Sequence, residues 1–175
     1  MIRIRAYRRE DARAAAALIS ETFARFNANE GTKRAVRQYV ELYRPAGRKT
    51  DQIHARFART PIFYVAVHQA RIVGLVRGTP DRLINLFVAG GHHRRGIATR
   101  LVQKYEAACL RAGSRELRVR ASLYAIRYYE FVGYRKTTGV RNFHGLSVQP
   151  MRKRLRSRSP LGAATPATRT DAMRG

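Results

Sequence analysis

The sequence predicts a mixed α/β (α+β) fold in which a mostly antiparallel central sheet of about six or seven strands is flanked by helices. Three observations predict this fold. The chain has 175 residues, which is the size of one domain. Its composition, 45% hydrophobic and 27% charged, is that of a chain able to bury a core. Segments with helical spacing of apolar residues are followed by short runs rich in β-branched and aromatic residues.

The N-terminal part predicts one strand and three helices. Apolar and polar residues alternate over residues 2–7, which indicates a half-buried strand at an edge or surface of the sheet. Glu10 and Asp11 then precede an alanine-rich stretch and lie where a helix dipole favours acids. The spacing of apolar residues predicts helices over residues 10–26, 32–43 and 51–59.

The middle of the chain changes from helical to strand periodicity. Two β-rich runs, 62–67 and 72–76, are separated by four residues, the length of a hairpin connection. A third apolar run, 83–88, ends at a glycine pair, and a helix with a continuous apolar face follows and closes at Gly113. This part of the chain therefore predicts antiparallel central strands followed by a strand, a glycine-rich turn and a helix.

The C-terminal part predicts a strand over 117–120, a short helix over 124–132 and a last strand over 146–155. Beyond these elements the chain is small, polar, basic and interrupted by prolines. We therefore expect one domain over residues 1–155 and a disordered basic tail over residues 156–175.

The net charge is unusual. The chain carries 36 Lys and Arg against 11 Asp and Glu, a formal charge of +25. Phosphates, nucleic acids and anionic membranes are electrostatically favoured by such a surface. Because the basic residues form no dominant block, a compositional bias towards arginine is the preferred explanation of the charge, and nucleic-acid binding is disfavoured without being excluded.

Cysteine content and hydropathy exclude several classes of protein. Cys109 is the single cysteine, so the chain can form no internal disulfide and no cysteine-based zinc site, and we expect no metal. The longest apolar run, residues 14–19, is much shorter than the roughly 20 residues of a membrane span. We therefore expect a cytoplasmic protein that has no membrane partner.

The segment from Gly90 to Thr99 has the features of a phosphate-binding turn. Gly96 and Ala98 are small enough for a ligand to approach the backbone closely. The first turn of the following helix presents free N–H groups and the positive end of the helix dipole. Arg94 and Arg95 add attraction for a polyanion. A plain turn with solvated arginines is the alternative.

Three segments together resemble the GNAT superfamily of N-acetyltransferases over about residues 2–155. They are the strand Leu86, Phe87 and Val88, the turn 93–98, and the segment 125–134. The family's acetyl-CoA motif is Arg/Gln-x-x-Gly-x-Gly/Ala, and here it reads His93-Arg94-Arg95-Gly96-Ile97-Ala98, with His93 departing from the first position. The resemblance implies that backbone N–H groups bind the pyrophosphate of acetyl-CoA, those of Arg94, Arg95, Gly96, Ile97, Ala98 and Thr99.

The resemblance also implies a role for the strand before this turn. In these enzymes that strand diverges from its neighbour, and its backbone pairs with the pantetheine arm as an added strand would. Leu86, Phe87 and Val88 would supply that backbone here, and the N–H of Val88 would donate to the thioester oxygen. Packing of Leu86 and Val88 in the core is compatible with this role, because the co-substrate uses backbone groups.

The third segment resembles the family pattern Asn-x-x-Ala-x-x-aromatic-Tyr-x-x-x-Gly-Phe. Ser122 replaces the Asn and is assigned to the co-substrate site, and Tyr129 occupies the Tyr position. A phenol with a pKa of about 10 can protonate a departing thiolate whose thiol has a pKa near 8.5. Tyr129 is therefore the candidate general acid. A packed aromatic role and the adjacent Tyr128 are the alternatives.

The general base is not identified by the sequence. No acid lies between Arg82 and Glu106, so the acids in reach are Asp81, Glu30 and Glu21, and deprotonation through water is equally acceptable. Three histidines can titrate near neutrality but have no recognisable partner, namely His92, His93 and His144.

The predicted function is the transfer of acetyl from acetyl-CoA to a primary amine of a small molecule or a protein, by direct attack in a ternary complex. Two other classes stay open: a non-catalytic nucleic-acid or ribosome-associated binding protein on the same fold, and an acyl-CoA sensor. The basic cluster over 152–156 is either a phosphate-binding surface or a solvated chain end. A homodimer through the C-terminal strands is plausible by resemblance.

Overall fold

The structure is a computed structural model that describes residues 1–156. The helices are α1 (Ala12–Phe26), α2 (Lys33–Tyr43), α3 (Thr50–Phe57), α4 (Ile97–Arg111) and α5 (Ile126–Phe131). The strands are β1 (Arg3–Ala6), β2 (Ile62–His68), β3 (Arg71–Thr79), β4 (Arg82–Val88), β5 (Glu116–Ser122), β6 (Arg135–Lys136), β7 (Arg141–Phe143) and β8 (Leu146–Arg154). The predicted tail, apart from Arg156, lies outside the described residues.

The strands form one sheet in the order β1-β2-β3-β4-β5-β8-β6, with β7 paired to β8. The only parallel pair among the described residues is β4 with β5, so the predicted mixed, mostly antiparallel fold is confirmed. The sheet has eight strands instead of six or seven because β6 and β7, two and three residues long, carry no apolar alternation that could predict them.

Helices cover the sheet on two sides. Helix α4 packs on β2 and β3, where Leu101 and Tyr105 are completely buried. A Cβ at Gly74 of β3 would lie 3.1 Å from side-chain atoms of Ile97 and Leu101, so glycine permits this close approach. Helix α1 lies on the opposite side and contacts α2, α3 and β3. Among residues 1–156, no helix is long and apolar enough to cross a membrane.

Several predicted boundaries were wrong. The hairpin connection has two residues, Gln69 and Ala70, both with positive φ, because His68 and Arg71 already pair. Strand β3 continues three residues beyond the predicted end at Val76. The predicted helix over 124–132 is instead a 3₁₀ turn, Leu123–Ala125, followed by the six-residue α5.

Strand β3 continues through Arg77 because a polar network accommodates the buried guanidinium. Arg77 is 5% exposed. Its Nε donates to Oδ1 of Asn85 at 2.7 Å, Nη1 to Oγ1 of Thr60 at 3.0 Å, and Nη2 to the hydroxyl of Tyr43 at 2.8 Å. The guanidinium also lies 4.7 Å from the ring centroid of Phe57. These contacts replace the carboxylate that a buried arginine usually requires.

We predict that Arg77→Met lowers the free energy of unfolding by about 3 kcal/mol, because the substitution removes the three buried hydrogen bonds that Asn85, Thr60 and Tyr43 accept from the guanidinium. Urea unfolding followed by circular dichroism measures the change. The matched control is Arg71→Met, at an exposed position of the same strand. Equal stability of the two variants would contradict a structural role for the network.

Candidate active site

The two central strands of the sheet diverge, and the divergence creates the site. Strands β4 and β5 are in register only at Arg82 with Arg118 and at Leu83 with Val119. Beyond these pairs the remaining residues of β4, up to Val88, have no partner on β5. Two cavities open into the gap, and both are lined by Leu86, Phe87 and Tyr129.

The larger cavity, of about 760 Å³, gathers the residues of the predicted co-substrate site. Arg95, which is exposed, is the one that does not line it. The predicted residues that do line it are Leu86, Phe87, Val88, His93, Arg94, Gly96, Ile97, Ala98, Thr99 and Ser122. Segments that are distant in sequence therefore converge on one cavity.

The turn at the base of this cavity leaves its backbone N–H groups free. Arg94 and Gly96 have φ of 58° and 69°, the left-handed conformation that curls a turn around a bound group. Among the hydrogen bonds of the described residues, none is donated by the backbone amides of Arg94, Arg95 or Gly96. Helix α4 begins immediately afterwards, so its first N–H groups face the same direction. The turn has the donors that an anionic ligand needs.

The free edge of β4 presents further backbone groups to the gap. Ala89 donates its N–H to the carbonyl of Val73, and Val88 lies opposite Gly74. Because hydrogen-bonded and non-hydrogen-bonded pairs alternate along an antiparallel ladder, the N–H and C=O of Val88 point away from β3 and into the gap.

The side chain of His93 contributes more to this geometry than the sequence analysis assumed. Its Nε2 lies 2.8 Å from the carbonyl oxygen of Val88. The imidazole therefore hydrogen-bonds the C=O of Val88 that faces the gap and leaves the N–H of Val88 free. The ring also packs on Phe26, with the centroids 4.9 Å apart. His93 therefore connects the turn to the end of β4 through a hydrogen bond and to α1 through a ring contact.

Tyr129 lies where the two cavities meet. The side chain is buried at 4% exposure and packs edge-on against Tyr128 and Tyr134. Burial, with a smaller effect of Tyr128, raises the pKa of Tyr129 above the ordinary value of a phenol. The phenol therefore keeps its proton at neutral pH. Tyr128 lines only the larger cavity, and its buried hydroxyl has no hydrogen-bond partner among the described residues.

The smaller cavity, of about 300 Å³, lies on the other side of the gap and contains one carboxylate among the described residues, that of Glu30. Glu30 is 8% exposed, and its Oε1 accepts a 2.6 Å hydrogen bond from the N–H of Tyr124. The backbone carbonyl of Glu30 accepts another from the N–H of Ser147. Both bonds fix the carboxylate beside the gap.

The other proposed bases lie elsewhere. Asp81 accepts a hydrogen bond from Thr79 in the β3–β4 turn, and Glu21 lines a separate surface depression. His144 lies in the exposed turn between β7 and β8. His92 lines the larger cavity and lies 3.2 Å from a ring nitrogen of His68. Among residues 1–156, no group of three or more His, Cys, Asp or Glu side chains could hold a metal ion.

Sequence reasoning missed three residues that line the smaller cavity, Asn27, Tyr39 and Asn85. Asn85 Nδ2 donates to the hydroxyl of Tyr39 at 2.9 Å, which connects the cavity to the network of Arg77. The helical spacing over residues 32–43 accounts for Tyr39 as a residue of an apolar face and gives no reason to place it in a site. The polar residue in the apolar strand 83–88 was the available signal for Asn85.

Comparison with known proteins agrees with this geometry. A family model described as the acetyltransferase (GNAT) domain matches residues 27–155. The chain has the divergent sheet and turn of an acyltransferase, and it belongs to the GNAT acetyltransferase family. No curated protein matches the sequence.

Solved structures share the fold at low sequence identity. A GCN5-related N-acetyltransferase from Rhodopseudomonas palustris is 23% identical, with 87% of this chain and 95% of that chain covered and a TM-score of 0.72. The paiA N-acetyltransferase of Thermoplasma acidophilum, solved in complex with coenzyme A, is 16% identical, with 88% and 99% covered and a TM-score of 0.70. An aminoglycoside 6'-N-acetyltransferase complexed with coenzyme A is 16% identical, with 90% and 99% covered and a TM-score of 0.63.

Proposed function

We propose that the protein transfers the acetyl group of acetyl-CoA to a primary amine by direct attack in a ternary complex. The observation that carries this proposal is the gap between β4 and β5, where the two cavities meet at Tyr129. We assign the larger one to acetyl-CoA and call it the co-substrate cavity, and we assign the smaller one to the amine and call it the acceptor cavity. Two substrates that enter from opposite sides of the gap come into contact without a covalent enzyme intermediate.

Acetyl-CoA fits the larger cavity through backbone groups. The free N–H groups of residues 94–99 and the N-terminus of α4 bind the pyrophosphate. The pantetheine arm lies along the unpaired edge of β4 and takes the place of the missing neighbour strand. The N–H of Val88 then donates to the thioester oxygen, where negative charge develops during the attack.

The chemistry requires two proton transfers. The ammonium group of the acceptor first gives a proton to Glu30, directly or through one water, and the free amine attacks the thioester carbonyl. The tetrahedral intermediate collapses, its C–S bond breaks, and the thiolate takes a proton from Tyr129. The cationic nitrogen of the tetrahedral intermediate loses one proton to solvent and keeps the other. The products are an N-acetylated amine and coenzyme A, after which Tyr129 regains a proton from solvent and Glu30 gives its proton to solvent.

We predict that Glu30→Gln lowers kcat about a hundredfold, the ordinary contribution of one general base, and leaves the KM for acetyl-CoA unchanged. Glutamine retains an oxygen that can accept the hydrogen bond from the N–H of Tyr124, so the fold is preserved. The control is Glu21→Gln, an exposed acid of α1 outside both cavities. Full activity of Glu30→Gln would assign deprotonation to water.

A transfer assay tests the proposed function itself. The protein is incubated with acetyl-CoA and a panel of primary amines, and release of the coenzyme A thiol is followed together with the mass of the acceptor. Acetylation of at least one amine at a rate above that of the Tyr129→Phe variant is the expected result. Tight acetyl-CoA binding without transfer to any amine would favour an acyl-CoA sensor.

A further inference from the structure

One face of the sheet carries four arginines in register across four neighbouring strands. Arg82 of β4 is registered with Arg118 of β5. Arg118 is opposite Arg152 of β8, and Arg152 is opposite Arg135 of β6. Registered residues point to the same face, so the four side chains form a line, which we call the arginine row. With strands about 4.8 Å apart, the row spans about 14 Å.

The fold neutralises little of this charge. Like charges directly opposite each other destabilise a sheet. Glu116 is the carboxylate that forms ion pairs with the row among the described residues, with Oε1 3.4 Å from Arg118 and Oε2 3.5 Å from Arg152. The carboxylate of Asp81 lies beyond ion-pair distance but also interacts with the charges of Arg82 and Arg118. Within residues 1–156, neither Arg82 nor Arg135 has a carboxylate within 4.0 Å. The row therefore has the charge to bind an anion from outside the domain.

The arginine row is continuous with the acceptor cavity. A depression of about 350 Å³ over the row is lined by three of its arginines, Arg82, Arg118 and Arg152, and by the acid Glu116. It shares Arg82 and Arg120 with the acceptor cavity. Helix α4 packs on the opposite face of β5 and β8, so the row is open to solvent. A molecule that places its amine beside Tyr129 therefore extends over the arginines as it leaves the cavity.

We propose that the acceptor amine is carried by a peptide segment whose following residues are acidic, and that the arginine row binds those acids. This inference rests on the proposed function and names its substrate class. Four extended peptide residues span about 13 Å, close to the length of the row. Carboxylates match the bidentate geometry of guanidinium groups, and arginine clusters recognise acidic motifs in this way.

The chemistry of the row favours a peptide over a nucleic acid. A polypeptide supplies the primary amine of its N-terminus or of a lysine, whereas an ordinary nucleic acid carries no aliphatic amine. Single-stranded nucleic acids are bound through bases stacked on aromatic rings. Among the described residues, no aromatic side chain lines the depression over the row. The ring of Phe143, which lines the acceptor cavity, is already covered by the guanidinium of Arg120 at 4.0 Å. Polycationic amines are repelled by the same charges.

Three synthetic peptides with the same N-terminal residue and the same length test the proposal. Three glutamates, three glutamines or three arginines follow the first residue, so that the N-terminal amine is the one acceptor in each peptide. Acetyl transfer gives kcat/KM, and fluorescence anisotropy of dye-labelled peptides gives affinity in the presence of coenzyme A. We expect the acidic peptide to exceed the neutral one about tenfold in both quantities at low salt, the size of two partly screened ion pairs, and the difference to shrink in high salt.

Two double variants with the same net charge separate the row from bulk attraction. Arg118→Gln with Arg152→Gln removes the centre of the arginine row. The control, Arg3→Gln with Arg111→Gln, removes two exposed arginines of β1 and α4. We expect the first variant to lose the tenfold preference for the acidic peptide in both kcat/KM and affinity. The control variant should retain the preference, because its arginine row is intact. Both variants lower the net charge by two, so general electrostatic attraction falls equally in the two.

Each outcome decides the proposal. Equal use of the three peptides, a preference for the basic peptide, or equal losses in the two double variants would overturn it. Displacement of the acidic peptide by a single-stranded oligonucleotide that binds more tightly would assign the row to nucleic acid. If acetyl-CoA binds but no peptide is bound or acetylated, the inference fails and the proposed function stands. If acetyl-CoA does not bind, the proposed function fails, and anisotropy alone still decides what the row binds.

Discussion

Replacing Gly96 with glutamate is expected to abolish acetyl-CoA binding and to leave the fold intact. A Cβ at Gly96 would meet no atom within 4 Å, so the side chain has space in the folded protein. The carboxylate would lie where the free N–H groups of the turn point. A like-charge contact with the pyrophosphate at about 5 Å costs about 3 kcal/mol at an effective dielectric constant near 20, and the affinity should therefore fall about a hundredfold or more.

The matched control is Gly96→Gln. Gly96 has a φ of 69°, which strains any other residue by roughly 1–2 kcal/mol, and glutamine shares both this cost and the length of glutamate. Its amide adds bulk without charge, so affinity should fall by only a few fold. Calorimetric titration with acetyl-CoA measures both variants, and thermal unfolding shows that each is folded. Tight binding by Gly96→Glu would remove the turn from the co-substrate site.

Replacing Tyr129 with phenylalanine is expected to lower kcat about a hundredfold, the ordinary contribution of a general acid. The KM for acetyl-CoA should not change, because the phenol acts on the departing thiolate and not on the bound ground state. Burial raises the pKa of Tyr129, so the proton is present at neutral pH in the native enzyme. The ring remains in place in the variant, which retains the packing against Tyr128 and Tyr134.

Tyr128→Phe is the control for this prediction. The hydroxyl of Tyr128 is buried without a partner among the described residues, and Tyr128 lines only the co-substrate cavity. Loss of this hydroxyl should change kcat less than about threefold, since the hydroxyl makes no hydrogen bond that could stabilise the transition state. Steady-state kinetics of the two variants therefore identify the acid. Loss of turnover in Tyr128→Phe with normal turnover in Tyr129→Phe would exchange the two assignments.

Local patterns were sufficient to predict the parts of the fold that form the proposed acetyl-CoA site. The apolar run of β4, the small residues of the turn and the apolar face of α4 are consecutive in sequence, so residues 86–99 could be placed on a strand, a turn and a helix. The convergence of Ser122 and Tyr129 on the same cavity followed from the family resemblance, because local periodicity does not relate β5 and α5 to β4.

The parts that could not be predicted depend on contacts between distant residues. The predicted strand stops before Arg77, because a charged residue interrupts the apolar run. The partners that allow Arg77 to be buried, Thr60, Asn85 and Tyr43, lie on other parts of the chain. Glu30 could not be distinguished from other acids until the fold placed its carboxylate at the N–H of Tyr124, 94 residues away. The arginine row exists only through the register of four strands.

The turn and the edge of β4 form, in our proposal, a site that fits the shape of acetyl-CoA. A calorimetric titration tests this site most directly. Acetyl-CoA is titrated calorimetrically at low salt and at about 0.5 M salt, with ATP as the polyanion control, because salt screens charge but not shape. We expect acetyl-CoA binding to survive high salt and ATP binding to disappear. If the two ligands weaken together, the turn attracts polyanions only by charge and the proposed site is wrong.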